Sequence, residues 1–199
     1  YRGDILRSFL KVVDPSLVVG FEPNPNNLQF LRNRFPSVTI EPLALGNQIG
    51  SAKFVCSLYH PARSQLANSP PEDRRVHGGE KEVSVPITTL DEYFGDKRKI
   101  NFIKIDAEGA EFDIIKGGMA ILSRSRPIMV FEHRLAQSPG GEDDSRTLFE
   151  LLHKDISLRI SPLRNIGNEI RDPGIFLEHL RLGTEYFIGS PMIICGPNS

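Results

Sequence analysis

Apolar residues recur along the chain in short rhythms that change from helical to strand-like and back. Ile5, Leu6, Phe9, Leu10 and Val13 follow a helical spacing, which predicts a helix over 3–13 that buries one face. Leu17-Val18-Val19-Gly20-Phe21 is a continuous apolar run of the kind buried on both faces of a parallel sheet. Asn24 then offers a helix cap and Pro25 suits the first helical position, with Leu28, Leu31 and Phe35 as the inward stripe. Strands are predicted at 38–41 and 53–56, and the alternation over 82–88 predicts a strand exposed on one side. Between the last two, Ser57 to Gly79 is polar and without sustained periodicity, as in a loop over a pocket or a mobile excursion.

The second half repeats the strand-then-helix order. A buried strand is predicted at 100–105 and a single helix at 108–122, weakened near its end by Gly117-Gly118. Another strand over 128–131 follows Pro127 and is closed by Glu132-His133. After a loop at 137–144, a helix is expected at 145–153 and a further one at 175–182, with strands at 156–160, 185–188 and 192–195. Strand–helix units early and strands late predict the α/β class: one domain with a doubly wound, mainly parallel sheet and an antiparallel C-terminal edge. Such a sheet is a platform for a nucleotide-like cofactor.

Charge narrows the partners. The chain has 199 residues, with 24 basic against 25 acidic side chains, so no electrostatic footprint for a nucleic-acid backbone is present and a small neutral or zwitterionic partner fits better. Cys56 and Cys195 lack metal-like spacing and read as reduced thiols, which favours a reducing, cytoplasmic setting. No apolar run approaches the roughly 20 residues a membrane helix needs. No signal peptide opens the chain, and its start at Tyr1 leads us to expect a longer sequence upstream.

Carboxylates gather where the predicted strands end. Glu22 follows a strand, where a carboxylate can accept hydrogen bonds from the two hydroxyls of a ribose, with Pro23, Asn24 and Pro25 as a rigid turn. The competing reading is a surface glutamate that favours the positive end of a helix. Asp106, Glu108 and Glu111 cluster past the strand over 100–105, where they could hold a cation, orient an amine or take a proton from a hydroxyl. Acids at a helix start also simply complement its dipole. His133, at the neighbouring strand end, has an ordinary pKa suited to proton transfer, and is favoured over His60, His77, His153 and His179.

Taken in order, FEPNPNN (21–27), EPLALGN (41–47), ITTLDEYF (87–94), IKIDAEGAEFDIIKGG (103–118) and IMVFEH (128–133) resemble the FkbM-type S-adenosylmethionine-dependent methyltransferases. The likeness spans about residues 1–135 and implies a Rossmann-like class I methyltransferase fold. That family opens with D-x-G-A-N-x-G, and Tyr1-Arg2-Gly3-Asp4 is similar to its last part, with Tyr1 where asparagine is expected. The resemblance thus implies that Gly3 ends this loop and that the first strand and part of the loop are missing. It implies an O-methyltransferase acting on a sugar, glycolipid or natural-product hydroxyl. S-adenosylmethionine would be bound by Gly3, Glu22, Pro23, Asn24, Ala44, Leu45, Asp106 and Glu108. Glu22 would hold the ribose, Ala44-Leu45 would lie beside the adenine, and Asp106 would face the methionine part or the acceptor, with Asp106 or His133 as base and no metal site expected. Loops 57–79 and 137–144 would shape the acceptor site. Two other readings are a non-catalytic binding module on a degenerate methyltransferase fold and a nicotinamide-dependent oxidoreductase. The second would need a G-x-G-x-x-G loop, which the chain does not contain, as well as a Tyr–Lys pair four apart.

Overall fold

The structure, a computed structural model, describes residues 3–57, 65–66, 80–96 and 98–192. Helix α1 spans Asp4–Phe9 and β1 spans Val19–Phe21, both shorter than the apolar pattern suggests. Leu17 lies instead in a 3-10 turn, Pro15–Leu17, capped by the Asp14 carboxylate. The residues of β1 are half-buried rather than buried on both faces, because among the described residues β1 pairs with β2 (Thr39–Glu41) alone. Between them runs α2, Pro25–Arg34, with Pro25 in its first turn and the Asn24 side chain accepting the Asn26 N–H at its start. That helix start matches its signal in the sequence. Leu31, Phe35, Val38 and Ile40 form a small apolar cluster under this unit.

A second ladder, in the order β3–β6–β4–β5, joins Ala44–Leu45, Glu80–Thr88, Gly50–Ser57 and Gln65–Leu66. The third carries the main core. Its order is β7–β8–β10–β9, built from Phe102–Ile105, Ile128–Glu132, Tyr186–Pro191 and Leu158–Pro162. Strands β7 and β8 are parallel, and β10 runs antiparallel to both β8 and β9. The α/β mixture thus agrees with the sequence, while the described ladders are small and mixed. The strand expected at 185–188 is found as β10, which starts at Tyr186 and runs on to Pro191, and the strand expected over 192–195 lies, past Met192, outside the described residues.

Helices supply the rest of the core. Helix α6, Gly141–Glu150, begins inside the stretch expected as a loop and runs on into a π-helical turn at Leu151–Asp155. With α7, Pro173–Arg181, it buries Leu148, Phe149, Phe176 and Leu177 against Phe187 of β10. Rings bridge the N-terminal unit to the remainder: Phe9 stacks on Phe102 at 5.0 Å, and Phe21 meets Tyr93 edge-on at 4.8 Å.

The single helix expected over 108–122 is two helices, α4 (Glu111–Lys116) and α5 (Met119–Ser125). Asp91 explains the break. It lies in α3, Leu90–Phe94, a short helix without a counterpart in the apolar pattern, whose Thr89 cap accepts the Glu92 N–H. The Asp91 carboxylate accepts the Ala120 and Ile121 N–H groups at 3.1 and 2.8 Å, giving α5 a start of its own. Gly117 permits the close packing at the junction, because a Cβ there would stand 2.0 Å from the Gly46 carbonyl oxygen.

Backbone cannot yield to that contact cheaply. Gly117→Ala is therefore expected to lower stability by at least about 2 kcal/mol in chemical denaturation, the range of overpacked cores. Gly167→Ala, where a Cβ meets nothing within 4 Å, serves as the control with little change.

Candidate functional site

Past the end of β7 the chain makes a tight left-handed turn. Glu108 has φ 49° and Gly109 has φ 99°. Glu111, 2% exposed, holds this turn by accepting the Ala107 N–H at 2.6 Å and the Gly109 N–H at 3.0 Å. Burial raises its carboxyl pKa, and these N–H groups oppose the rise. Glu111 is thus spent on its own turn, and α4 starts at Glu111 rather than at Glu108. Gly109 is required twice over: a Cβ would stand 2.7 Å from the Gln137 carbonyl oxygen, and its φ is one that side chains resist. Gln137 also donates from Nε2 to Glu108 at 3.1 Å, which fixes the direction of that side chain.

The third acid of the cluster is Glu132, which the spacing within 106–111 does not reveal. Asp106, Glu108 and Glu132 bring one carboxylate oxygen each within 4.8 Å of the others. Register explains it: Ile105 pairs with Phe131 across parallel β7 and β8, so the next residues, Asp106 and Glu132, emerge side by side. Glu132 is 1% exposed and forms the floor, whereas Asp106 lies on the open side. Lys104 Nζ pairs with Asp106 Oδ2, and Arg134 pairs with Glu132 Oε1 and, at 3.2 Å, with Glu185. Burial, followed by the interaction with Asp106, pushes the Glu132 carboxyl up to about 8. Burial works to raise Asp106 too, but Glu132 and the Lys104 ammonium outweigh it and hold that carboxyl below its usual range. Tyr186, opposite Glu132 on β10, is pushed up to about 12, first by burial and then by the Asp106 and Glu132 charges, so its hydroxyl keeps its proton.

Glu22 stands at the end of β1 in a turn that it helps to build. Its carboxylate accepts the Asn24 N–H at 2.9 Å and a weaker bond from Asn27 Nδ2 at 3.4 Å. Burial raises its pKa, and those bonds counter it. Pro23 joins Glu22 to Asn24, itself 1% exposed. Gly3 is left-handed at φ 73°, and a Cβ there would stand 2.5 Å from the Phe35 ring. Ala44 is buried with Phe54 and Val85, and Leu45 packs against the main core.

His133 points into the core. It is 3% exposed, its Nε2 lies 2.8 Å from Ser145 Oγ, and its ring stacks on Phe176 at 6.0 Å. Burial depresses its pKa to about 4. This is the environment of a packed, neutral imidazole, which the strand-end position in sequence does not reveal. His60, His77, Cys195 and most of the loop over 57–79 lie outside the described residues, as does the side chain of Cys56.

Comparison with known proteins brings this geometry into relation with one family. The family model described as "Methyltransferase FkbM domain" matches residues 3–158. The crystal structure of Methyltransferase FkbM from Methylobacillus flagellatus KT is similar in fold, with a TM-score of 0.54 and 17% sequence identity over 94% of this chain. The chain spans 40% of the length of that protein. No curated protein matches the chain.

A histidine buried neutral makes stability depend on pH in one direction. His133 has a folded pKa of about 4 against an ordinary 6.5, so the unfolded chain takes up its proton first as pH falls. Its contribution is complete above pH 6.5 and is lost between 6.5 and about 4, on the order of 3 kcal/mol. Denaturation of His133→Gln at a series of pH values is expected to give a flatter profile in this window than the wild type, whereas parallel profiles would refute the buried neutral state.

Proposed function

The chain belongs to the FkbM methyltransferase domain family, and on that premise we propose that it moves a methyl group from S-adenosylmethionine to a hydroxyl of a sugar, glycolipid or natural-product acceptor. The family supports the methyl transfer. One observation carries the rest: Glu22 and Asp106 each follow the carboxyl end of a strand in a parallel ladder, β1/β2 and β7/β8, where open α/β sheets bind ligands. The same reading makes these ladders parts of one doubly wound sheet in a single methyltransferase domain that acts in the cytoplasm. Among the described residues no helix is long and apolar enough to cross a membrane.

The residues fit the cofactor's chemistry. Glu22 is held by its own turn and presents a half-buried carboxylate suited to a pair of ribose hydroxyls. Gly3 and Ala44 are assigned to the cofactor by the family resemblance, while the open side of Gly3 meets the Phe35 ring and Ala44 packs with Phe54 and Val85. S-adenosylmethionine supplies a methyl group on a sulfonium, already activated toward an oxygen nucleophile. The protein's part is to align the acceptor oxygen, exclude water and receive a proton. We assign the last of these roles to Asp106, a reading supported by its exposure on the open side of its cluster, and not to His133, whose ring is enclosed. The acceptor is assigned to the stretch over 137–144, whose last residues form the first turn of α6.

Calorimetric titration with S-adenosylmethionine is expected to give about tenfold weaker binding for Glu22→Ala, equivalent to about 1.4 kcal/mol. Equal affinities would remove Glu22 from the cofactor site. Asp106→Asn is expected to suppress turnover by at least about a hundredfold, the lower range for a general base, while cofactor affinity changes less. Unaltered turnover would take Asp106 out of the mechanism.

A further inference from the structure

Three neighbouring strands bring their side chains together at one point. Ile105 of β7 pairs with Phe131 of β8, and Glu132 of β8 pairs with Tyr186 of β10, so Asp106, Glu132 and Tyr186 stand in one row on one face. Within that row the Asp106 and Glu132 carboxyls are hydrogen-bonded to each other. Two carboxylates cannot make such a bond, because each only accepts, so one of the two carries a proton. The surroundings decide which. Asp106 lies on the open side beside the Lys104 ammonium, which favours its charge even with the buried Glu111 carboxyl nearby. Glu132 is buried, and among the described residues no N–H group donates a hydrogen bond to either of its oxygens. Arg134 pairs with it, but is shared with Glu185 and opposed by the charges of Asp106 and Glu108, while Tyr186 keeps its own proton. Ionising the enclosed carboxyl is the costlier choice, and the proton stays on Glu132. The rise of that carboxyl to about 8 agrees.

We propose that Glu132 is a positioning residue for Asp106: its buried carboxyl donates a hydrogen bond that fixes the direction of the Asp106 carboxylate on the open side of the cluster. The catalytic part of this rests on the reading of Asp106 as the proton acceptor. Held from the buried side by Glu132, and by Lys104 two residues back on its own strand, Asp106 has little freedom to turn. A carboxylate offers about four acceptor sites, so these contacts leave it able to receive a hydrogen bond from an acceptor hydroxyl. As the methyl group passes from sulfur to the acceptor oxygen, the O–H bond breaks and its proton goes to Asp106, while Glu132 keeps its own. Solvent then takes up the extra proton. A base already held in direction needs no rearrangement at that moment, which is where positioning speeds a reaction.

Two measurements test the proposal, the first with neither cofactor nor acceptor present. In protein carrying 13C in its aspartate and glutamate side-chain carboxyls, an NMR titration from pH 6 to 9.5 is expected to show one carboxyl that loses its proton near 8. That step is expected to vanish in Glu132→Gln and to move down by at least about one pH unit in Asp106→Asn, which removes the neighbouring charge. No carboxyl titrating in this range, or a step unmoved in Asp106→Asn, would overturn the proposal. The second measurement is turnover, with circular dichroism checking that each variant is folded. Glu132→Ala is expected to lower kcat at least about tenfold while the KM for S-adenosylmethionine stays within about twofold, and Glu132→Gln, whose amide can still donate to Asp106, is expected to keep most of the activity. Full turnover in Glu132→Ala, or an equal loss in both variants, would overturn the positioning role. Asp106→Asn that turns over like the wild type would instead remove the base itself, and the carboxyl titration still decides whether Glu132 holds Asp106.

Discussion

The turn between β7 and α4 depends on one buried carboxylate. Glu111 accepts two backbone N–H groups from the residues just before it, and this holds the chain in a left-handed path that Glu108 adopts against its own preference. A non-glycine residue in that region costs on the order of 1–2 kcal/mol. Charge-assisted hydrogen bonds return roughly 1.5–3 kcal/mol each, so the turn is held rather than merely visited. Asp106 and Glu108 take their directions from it, and the 106–132 pairing then follows from the register of β7 on β8. The acid that never faces the open cluster is the one that arranges it.

The segments that carry the family resemblance act largely as struts between elements. Glu41 accepts the Tyr93 hydroxyl at 2.8 Å, and Asn47 donates to Asp113 at 2.7 Å, which ties the segment over 41–47 to α3 and α4. Asp91 starts α5, and Gly117 lets the Gly46 carbonyl reach the end of α4. In the segment 21–27, Asn24 and Asn27 spend their amides on the turn around Glu22. A residue can therefore belong to a chemical motif and still do its physical work in positioning backbone.

Much of the architecture is legible in the apolar rhythm, because strand and helix periods depend on near neighbours. The capped start of α2 and strands β6 through β8 follow that rhythm. What escapes it depends on contacts distant in sequence. The break between α4 and α5 comes from Asp91, about 30 residues earlier, and only the weak Gly117-Gly118 signal hints at it. The site is read less completely, since Glu132 joins Asp106 through strand register, and His133 is withdrawn from solvent by Ser145 and Phe176 on α6 and α7. Alternation of side chains does not state which strand will lie beside which.

The uneven distribution of buried apolar surface has a consequence for motion. Around β1, β2 and α2 four buried residues, Leu31, Phe35, Val38 and Ile40, form the apolar cluster, while the strands from β7 to β10 share a far larger core with α4 to α7. Local opening costs least where few apolar groups are lost to water. Amide protons of the Glu22 side of the molecule therefore exchange with solvent sooner than those of β8 or β10. The half that carries Glu22 opens more readily than the rigid acidic half, and a ligand touching both would damp that motion at a cost in binding entropy.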